Sequence, residues 1–150
     1  MYRLIVARKV RQIFDAIGRR DIDAAIKDVR PDVHHIFPGD NAMGGERHSK
    51  DAMRRWFERV LRLLPEIRFE VKKVAVRGWP WDTIVLVEWR DFGRAQDGEP
   101  YANDGAHAIR LRWGKATYIH AYLDTEAVTA VCDRLAAGGV EEAAAAPITE

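Results

Sequence analysis

Apolar residues spaced three or four positions apart predict helices in the first half of the chain. The first helix has on one face Val6, Val10, Ile13, Phe14 and Ile17. A short second helix follows, with Asp21 as its expected N-cap and Pro31 beyond its end. Ser49 is the expected cap of a third helix, which ends at Pro65 and whose apolar face is Met53, Trp56, Phe57, Val60 and Leu64.

After Pro65 the apolar positions alternate with polar ones, which is typical of a sheet with one solvated face. Lys73 breaks this alternation, and an extra residue of this kind indicates a β-bulge. Strands are also predicted over residues 32–37, 83–92, 105–113 and 115–123, with a last helix over 125–136. This order predicts an α+β fold in which a curved antiparallel sheet wraps around the N-terminal helices and encloses a cone-shaped pocket.

The composition of the chain predicts a C-terminal tail and argues against nucleic-acid and membrane partners. The elements form one domain over residues 1–137, and the glycines and alanines of residues 138–150 predict a flexible tail that is dispensable for folding. The 24 Lys and Arg against 23 Asp and Glu leave a net charge of +1, too small for the basic field that nucleic acid requires. The single Cys132 forms no internal disulfide, and no apolar run approaches the ~20 residues of a membrane span. We therefore expect a cytoplasmic protein without nucleic-acid or membrane partners.

Four motifs and the order of elements resemble the SnoaL-like branch of the nuclear transport factor 2-like superfamily. The motifs are Phe37-Pro38-Gly39, Ser49-Lys50-Asp51-Ala52 after a glycine-bearing loop, Gly114-Lys115, and Tyr122-Leu123-Asp124. The resemblance covers residues 6 to 136 and implies the cystatin-like cone fold. Polyketide cyclases, ketosteroid isomerases and limonene epoxide hydrolases belong to this branch.

The catalytic residues of those enzymes are matched only in part. The resemblance places one acid of the epoxide hydrolases at Asp91, but their arginine falls on Trp89 and their second acid on Ala121. The base of the isomerases falls on or near Ile36, and their hydrogen-bonding acid falls on His107. The resemblance thus implies the pocket of the family without an intact catalytic set from any one enzyme.

Under this alignment, strand alternation directs three polar side chains toward the pocket: His34, Asp91 and His107. The expected substrate-binding walls are Phe14, Ile17, Ile36, Met53, Trp56, Trp89 and Ile109. An imidazole titrates near neutral pH, and a neighbouring carboxylate fixes its tautomer. The hypothesis is an isomerase, cyclase or hydrolase that needs no cofactor and acts on an apolar, oxygen-bearing small molecule. His107 or His34 is the acid or base, with Asp91 as partner.

Other interpretations of the same residues stay open. The three polar residues also fit a hydrogen-bonded core network without chemistry. Two histidines and a carboxylate suit a metal ion, but His34 and His107 come from distant strands with no close-spaced motif, so no metal is predicted. Trp89 and Ala121 favour a non-catalytic ligand-binding or dimerisation domain of the same fold.

Two surface features complete the sequence-based expectations. Aromatic and charged residues on the strands predict a homodimer through the outer face of the sheet. These residues are Glu88, Arg110, Arg112, Trp113, Tyr118 and Tyr122. Trp79-Pro80-Trp81 predicts an aromatic turn packed against the domain, with a place at the pocket mouth as the alternative.

Overall fold

Four helices and six strands make up the protein in a computed structural model that describes residues 1–150. The helices are α1 (Tyr2–Gly18), α2 (Ile22–Ile26), α3 (Lys50–Leu63) and α4 (Thr125–Ala137). The strands are β1 (Val29–Phe37), β2 (Gly45–Arg47), β3 (Arg68–Trp79), β4 (Asp82–Arg94), β5 (Pro100–Arg112) and β6 (Lys115–Leu123). The sequence placed β2 in a loop, because three residues that begin with glycine carry no detectable alternation. No helix is long and apolar enough to cross a membrane.

Side-chain caps fix the starts of three helices. The carboxylate of Asp21 and the hydroxyl of Ser49 each accept the backbone N–H three residues further on, at 3.0 and 3.1 Å. Asp124 accepts two backbone N–H groups at the start of α4. Each cap satisfies donors that have no partner in the first turn of a helix. The predicted caps at Asp21 and Ser49 are confirmed.

The strands form one curved, unclosed sheet in the order β2-β1-β6-β5-β4-β3. Every neighbouring pair is antiparallel except β1 and β6, which are parallel. The register of β3 against β4 shifts between Val71 and Lys73, which confirms the bulge. Because a bulge bends its strand, the long β3–β4 hairpin curls around the helices. The predicted α+β fold is confirmed.

The core lies between the concave face of the sheet and helices α1 and α3. The inward side chains of β4 are almost completely buried, with Val85, Val87 and Trp89 at most 2% exposed. Against them pack the apolar faces of α1, which buries Val6, Val10 and Phe14, and of α3, which buries Met53, Trp56 and Phe57. The sheet therefore has one apolar, covered face and one face without helices.

The segment after α4 packs against α3 and β2. It forms a short 3₁₀ turn at Glu141–Ala144, in which Ala143 is only 3% exposed. Arg59 donates to the carbonyl of Ala146 at 2.8 Å, and Arg47 donates to the carbonyl of Ile148 at 2.9 Å. These contacts differ from the flexible tail expected for residues 138–150. The segment has no apolar stripe that would indicate docking, because guanidinium donors and small methyl groups hold it instead.

Deleting residues 141–150 is expected to lower the melting temperature by about 4 °C or more. Loss of a hydrogen bond to a charged group costs about 1.5–3 kcal/mol, and in a chain of this size 1 kcal/mol shifts the midpoint by about 2–4 °C. Differential scanning calorimetry measures the change. Glu141→Gln removes an exposed carboxylate without an ion pair and should leave the midpoint unchanged. An unaltered midpoint in the deletion variant would contradict the docked arrangement.

Candidate functional site

A cavity of about 270 Å³ lies between α1, α3 and the concave face of the sheet. Of its 26 lining residues 19 are hydrophobic, so an apolar ligand fits its walls. The mouth of the cavity is the end at which the lining residues are exposed to solvent or only partly buried. Ile5 and Lys9 of α1 lie there, together with the two turns that carry Pro80 and Gly114. Because the walls are mostly hydrophobic, the few polar side chains in the cavity determine which chemistry the site supports.

Most of the predicted site residues line this cavity. Those that do are Phe14, Ile17, Met53, Trp56, Trp89, Asp91, His107 and Ile109. The placement of His34 and Ile36 inside the pocket is wrong, since β1 directs Val33, His35 and Phe37 inward instead. The apolar residues Val33 and Phe37 indicate that the odd-numbered positions of β1 face inward. The alignment to the isomerases had placed the even-numbered positions there.

His107 is held in one tautomer by Trp89. The indole N–H of Trp89 donates to Nδ1 of His107 at 2.7 Å, so the ring proton sits on Nε2. No protein group accepts from that Nε2–H. Burial, and to a smaller extent the charge of His120, lowers the pKa of His107 to about 4. His107 is therefore a neutral imidazole at neutral pH, with a free N–H donor in the cavity.

The indole of Trp89 has room only because position 105 is a glycine. A Cβ built on Gly105 would lie 2.6 Å from the ring of Trp89, closer than side chains approach one another. Trp89 and Gly105 face each other in the register of β4 and β5, with Asp91 beyond them on β4. The expected hydrogen bond between Asp91 and His107 is not formed. The two residues line one cavity separately.

Asp91 is a carboxyl group almost without solvation. The residue is 4% exposed, and its Oδ1 is buried without a hydrogen-bond partner. Burial raises the pKa of Asp91 to about 7, although the backbone N–H groups of Asn103 and of Asp91 itself oppose the rise. A carboxyl with a pKa near neutrality in a cleft is suited to proton transfer.

His35 and Arg47 form a second polar pair, which the sequence analysis missed. His35 lines the cavity, and its Nδ1 accepts from Nη1 of Arg47 at 2.6 Å. Burial, then the charge of Arg47, lowers the pKa of His35 well below its ordinary value. Its proton therefore sits on Nε2, so His35 is a second neutral N–H donor.

Arg47 itself is fully buried without a carboxylate partner. It donates to the carbonyls of Gly44 and Ile148 and to His35, and its guanidinium lies 5.3 Å from the ring centre of Trp56. Burial lowers the pKa of Arg47 to about 10, so the group stays charged at neutral pH. The charge polarises the His35 ring and strengthens its remaining N–H as a donor.

On the outer face of the sheet His34 belongs to a separate group. Its Nε2 lies 2.7 Å from Oε2 of Glu46, and its ring stacks on His48 with centroids 4.5 Å apart. The hydrogen bond to Glu46 accounts for the orientation of the ring. His34 and His107 lie on opposite faces of the sheet, so the two side chains cannot bind one metal ion together.

Comparisons with known proteins match this arrangement to one family. The profile of the SnoaL-like domain matches residues 10–119. No curated protein matches the chain. Among solved structures, an NTF2-like protein of unknown function from Burkholderia pseudomallei is 23% identical with a TM-score of 0.68, over 83% of this chain and 95% of that one.

Two further structures are similar in fold. AclR, a putative hydroxylase from Streptomyces galilaeus, is 17% identical with a TM-score of 0.69, over 90% of this chain and 98% of that one. TerC, co-crystallised with polyporic acid, is 19% identical with a TM-score of 0.67, over 83% of this chain and 95% of that one. At these identities the likeness concerns the fold.

Asp91→Asn is expected to stabilise the protein above pH 7. Between the ordinary pKa of 3.8 and the folded value of about 7, the folded protein holds a proton that the unfolded chain releases. The free energy of unfolding of the wild type therefore falls as pH rises through this range and stays low above it. The variant has no carboxyl group to titrate and does not lose this stability. Its free energy of unfolding at pH 8 should exceed that of the wild type by a few kcal/mol, since each pKa unit is worth about 1.4 kcal/mol.

Urea denaturation at pH 4 and pH 8 measures the difference, which should nearly vanish at the lower pH. Asp104→Asn is the matched control, because Asp104 lies on the outer face and pairs with Arg90. A variant of Asp91 that loses stability at pH 8 would show that the carboxylate is well solvated or paired.

Proposed function

Because the chain belongs to the family of SnoaL-like domains, we propose that it binds an apolar, oxygen-bearing small molecule in the cavity and acts on it by acid–base chemistry. The observation that carries this proposal is an unpartnered, buried carboxyl in a cavity with two neutral imidazole donors. Proton transfer needs a group whose pKa lies near the working pH, and Asp91 has that property.

The roles of Asp91 and the histidines are reversed from those expected from sequence. His107 and His35 have lowered pKa values and fixed tautomers, so they donate hydrogen bonds and are poor bases. Asp91 removes a proton from a carbon next to a substrate carbonyl and returns it to another atom of the substrate. The N–H of His107 stabilises the negative charge that develops on the carbonyl oxygen. No net gain or loss of atoms results, as in isomerisation or cyclisation.

His35 orients the substrate in this scheme. The guanidinium of Arg47 fixes its ring, and the Nε2–H then orients an oxygen-bearing ligand. TerC, a neighbour in fold, was co-crystallised with polyporic acid, which supports an oxygen-bearing ligand for a protein of this fold.

A second candidate is non-catalytic ligand binding in the same cavity. It is favoured by Ala121 and Trp89, which are buried and which the resemblance places where the epoxide hydrolases have an acid and an arginine. This function requires the apolar walls and the imidazole donors but no proton transfer by Asp91.

His107→Gln and Asp91→Asn are expected to separate these two functions. A thermal-shift screen with steroids, terpene epoxides and polyketide-like ketones identifies ligands, and NMR in D₂O then follows deuterium exchange next to the carbonyl. Each variant should lower the exchange rate at least about 100-fold, the range for loss of a catalytic donor or base. His107→Gln should remain folded, at a cost of about 1 kcal/mol.

His34→Gln is the matched control, since it changes an imidazole on the outer face of the sheet. It should exchange deuterium at the wild-type rate. Ligands that bind without exchange, and with an affinity that Asp91→Asn does not change, would favour the non-catalytic function.

We also propose that the protein forms a homodimer through the outer face of the sheet. Four large apolar or aromatic side chains on that face are at least 41% exposed: Ile84, Leu86, Phe92 and Tyr122. The neighbouring strand β5 has small side chains at this place, since Ala108 lies opposite Leu86 in the register. Trp113 is not part of this face, since it lies in the turn between β5 and β6.

Leu86→Arg is expected to convert a dimer into a monomer, because a charge at the centre of an apolar interface remains unpaired. Sedimentation equilibrium at micromolar concentration measures the mass. Leu4→Arg changes a leucine of α1, away from the sheet face, and should leave the mass unchanged. A wild type that sediments as a monomer would overturn the proposal.

A further inference from the structure

Five exposed hydrophobic side chains surround the mouth of the cavity. We call them the mouth rim: Leu4, Ile5, Trp79, Trp81 and Trp113. Each is more than half exposed, and Leu4 and Trp113 reach 73%. The aromatic turn at Trp79-Pro80-Trp81 was expected to pack against the domain, and that expectation is wrong for both tryptophans. Monomeric proteins rarely expose so concentrated an apolar patch unless it meets a partner.

Direct contacts hold the rim together as one surface. The backbone N–H of Trp113 donates to the carbonyl of Pro80 at 2.8 Å, which joins the β5–β6 turn to the β3–β4 turn. The ring centroids of Trp79 and Trp81 lie 5.9 Å apart, and those of Trp81 and Trp113 lie 6.3 Å apart. The hydroxyl of Tyr2 lies 2.6 Å from that of Thr83, which ties the start of α1 to β4. The rim is therefore preformed.

The charges at this end of the molecule are mostly positive. Two carboxylates lie here, and both are paired: Asp28 with Lys9 and Lys115, and Asp82 with Arg110. The exposed guanidinium groups that flank the rim form no ion pair; they belong to Arg3, Arg77 and Arg112. A chain with a net charge of only +1 thus concentrates unpaired cations around one apolar patch.

We propose that the mouth rim docks onto the surface of an anionic lipid bilayer. Tryptophan is the side chain most suited to the boundary between headgroups and acyl chains, because its ring is apolar and its N–H is polar. Unpaired arginines beside it are attracted to anionic headgroups. A nucleic acid would require a broader basic surface without aliphatic side chains such as Leu4 and Ile5.

The docked orientation brings the cavity into contact with the bilayer. Ile5, Pro80 and Gly114 line the cavity and adjoin the rim, so an apolar molecule passes from lipid to cavity without crossing bulk water. The sequence-based expectation of no membrane partner rested on the absence of a spanning segment, and surface docking needs none. Docking uses neither Asp91 nor His107, and it is therefore independent of the proposed chemistry.

Vesicle flotation tests the proposal with the full chain. The probes are vesicles of phosphatidylcholine alone and of phosphatidylcholine mixed with phosphatidylglycerol in about equal parts. The wild type should float with the anionic vesicles, and high salt should weaken this binding. Arg77→Gln and Arg112→Gln should each lower the partition coefficient about fivefold. The pair Trp81→Ser and Trp113→Asn should lower it at least about tenfold; asparagine suits the positive φ at position 113.

Two controls make the outcome specific. Lys72→Gln removes an exposed charge away from the rim, and Asp91→Asn removes the proposed proton-transfer group; both should bind vesicles as the wild type does. A wild type that binds neither kind of vesicle would overturn the proposal, as would equal binding to both kinds at all salt concentrations. A change in sedimenting mass on altering Trp81 and Trp113, without vesicle binding by the wild type, would assign the rim to a second copy instead.

Discussion

Burial on the concave side of the sheet sets the charge of three titratable side chains that line the cavity. Burial raises the pKa of Asp91 and lowers those of His35 and His107. The three shifts have one cause, since burial favours the neutral form of an acid and of a base alike. Arg47 stays charged, and its donors are satisfied by carbonyls and by an imidazole that must itself remain neutral.

The tautomers of the two buried imidazoles decide how the cavity side chains would share the proposed proton transfer. An imidazole whose other nitrogen is occupied offers an N–H and nothing else, so Trp89 makes His107 a donor and Arg47 does the same for His35. In the function proposed above, Asp91 is then the group that accepts and returns protons. This division does not depend on a triad or a metal ion.

The fold was largely readable from the sequence, because caps, helical stripes and the bulge at Lys73 are local signals. The site was readable only in part. Alternation on β4 and β5 placed Asp91 and His107 correctly, since both strands are long. It failed on β1, where two adjacent histidines suit either parity. Arg47 could not be predicted, because an arginine in a glycine-bearing loop carries no sign of burial, and one of its partners, Ile148, lies 101 residues further along the chain.

Arg47 contacts the pocket with one part of its guanidinium and the C-terminal segment with another. A single guanidinium thus joins the wall of the cavity to the last residues of the chain. A change at position 47 therefore acts on two distant places at once, the tautomer of His35 and the docking of the C-terminal segment.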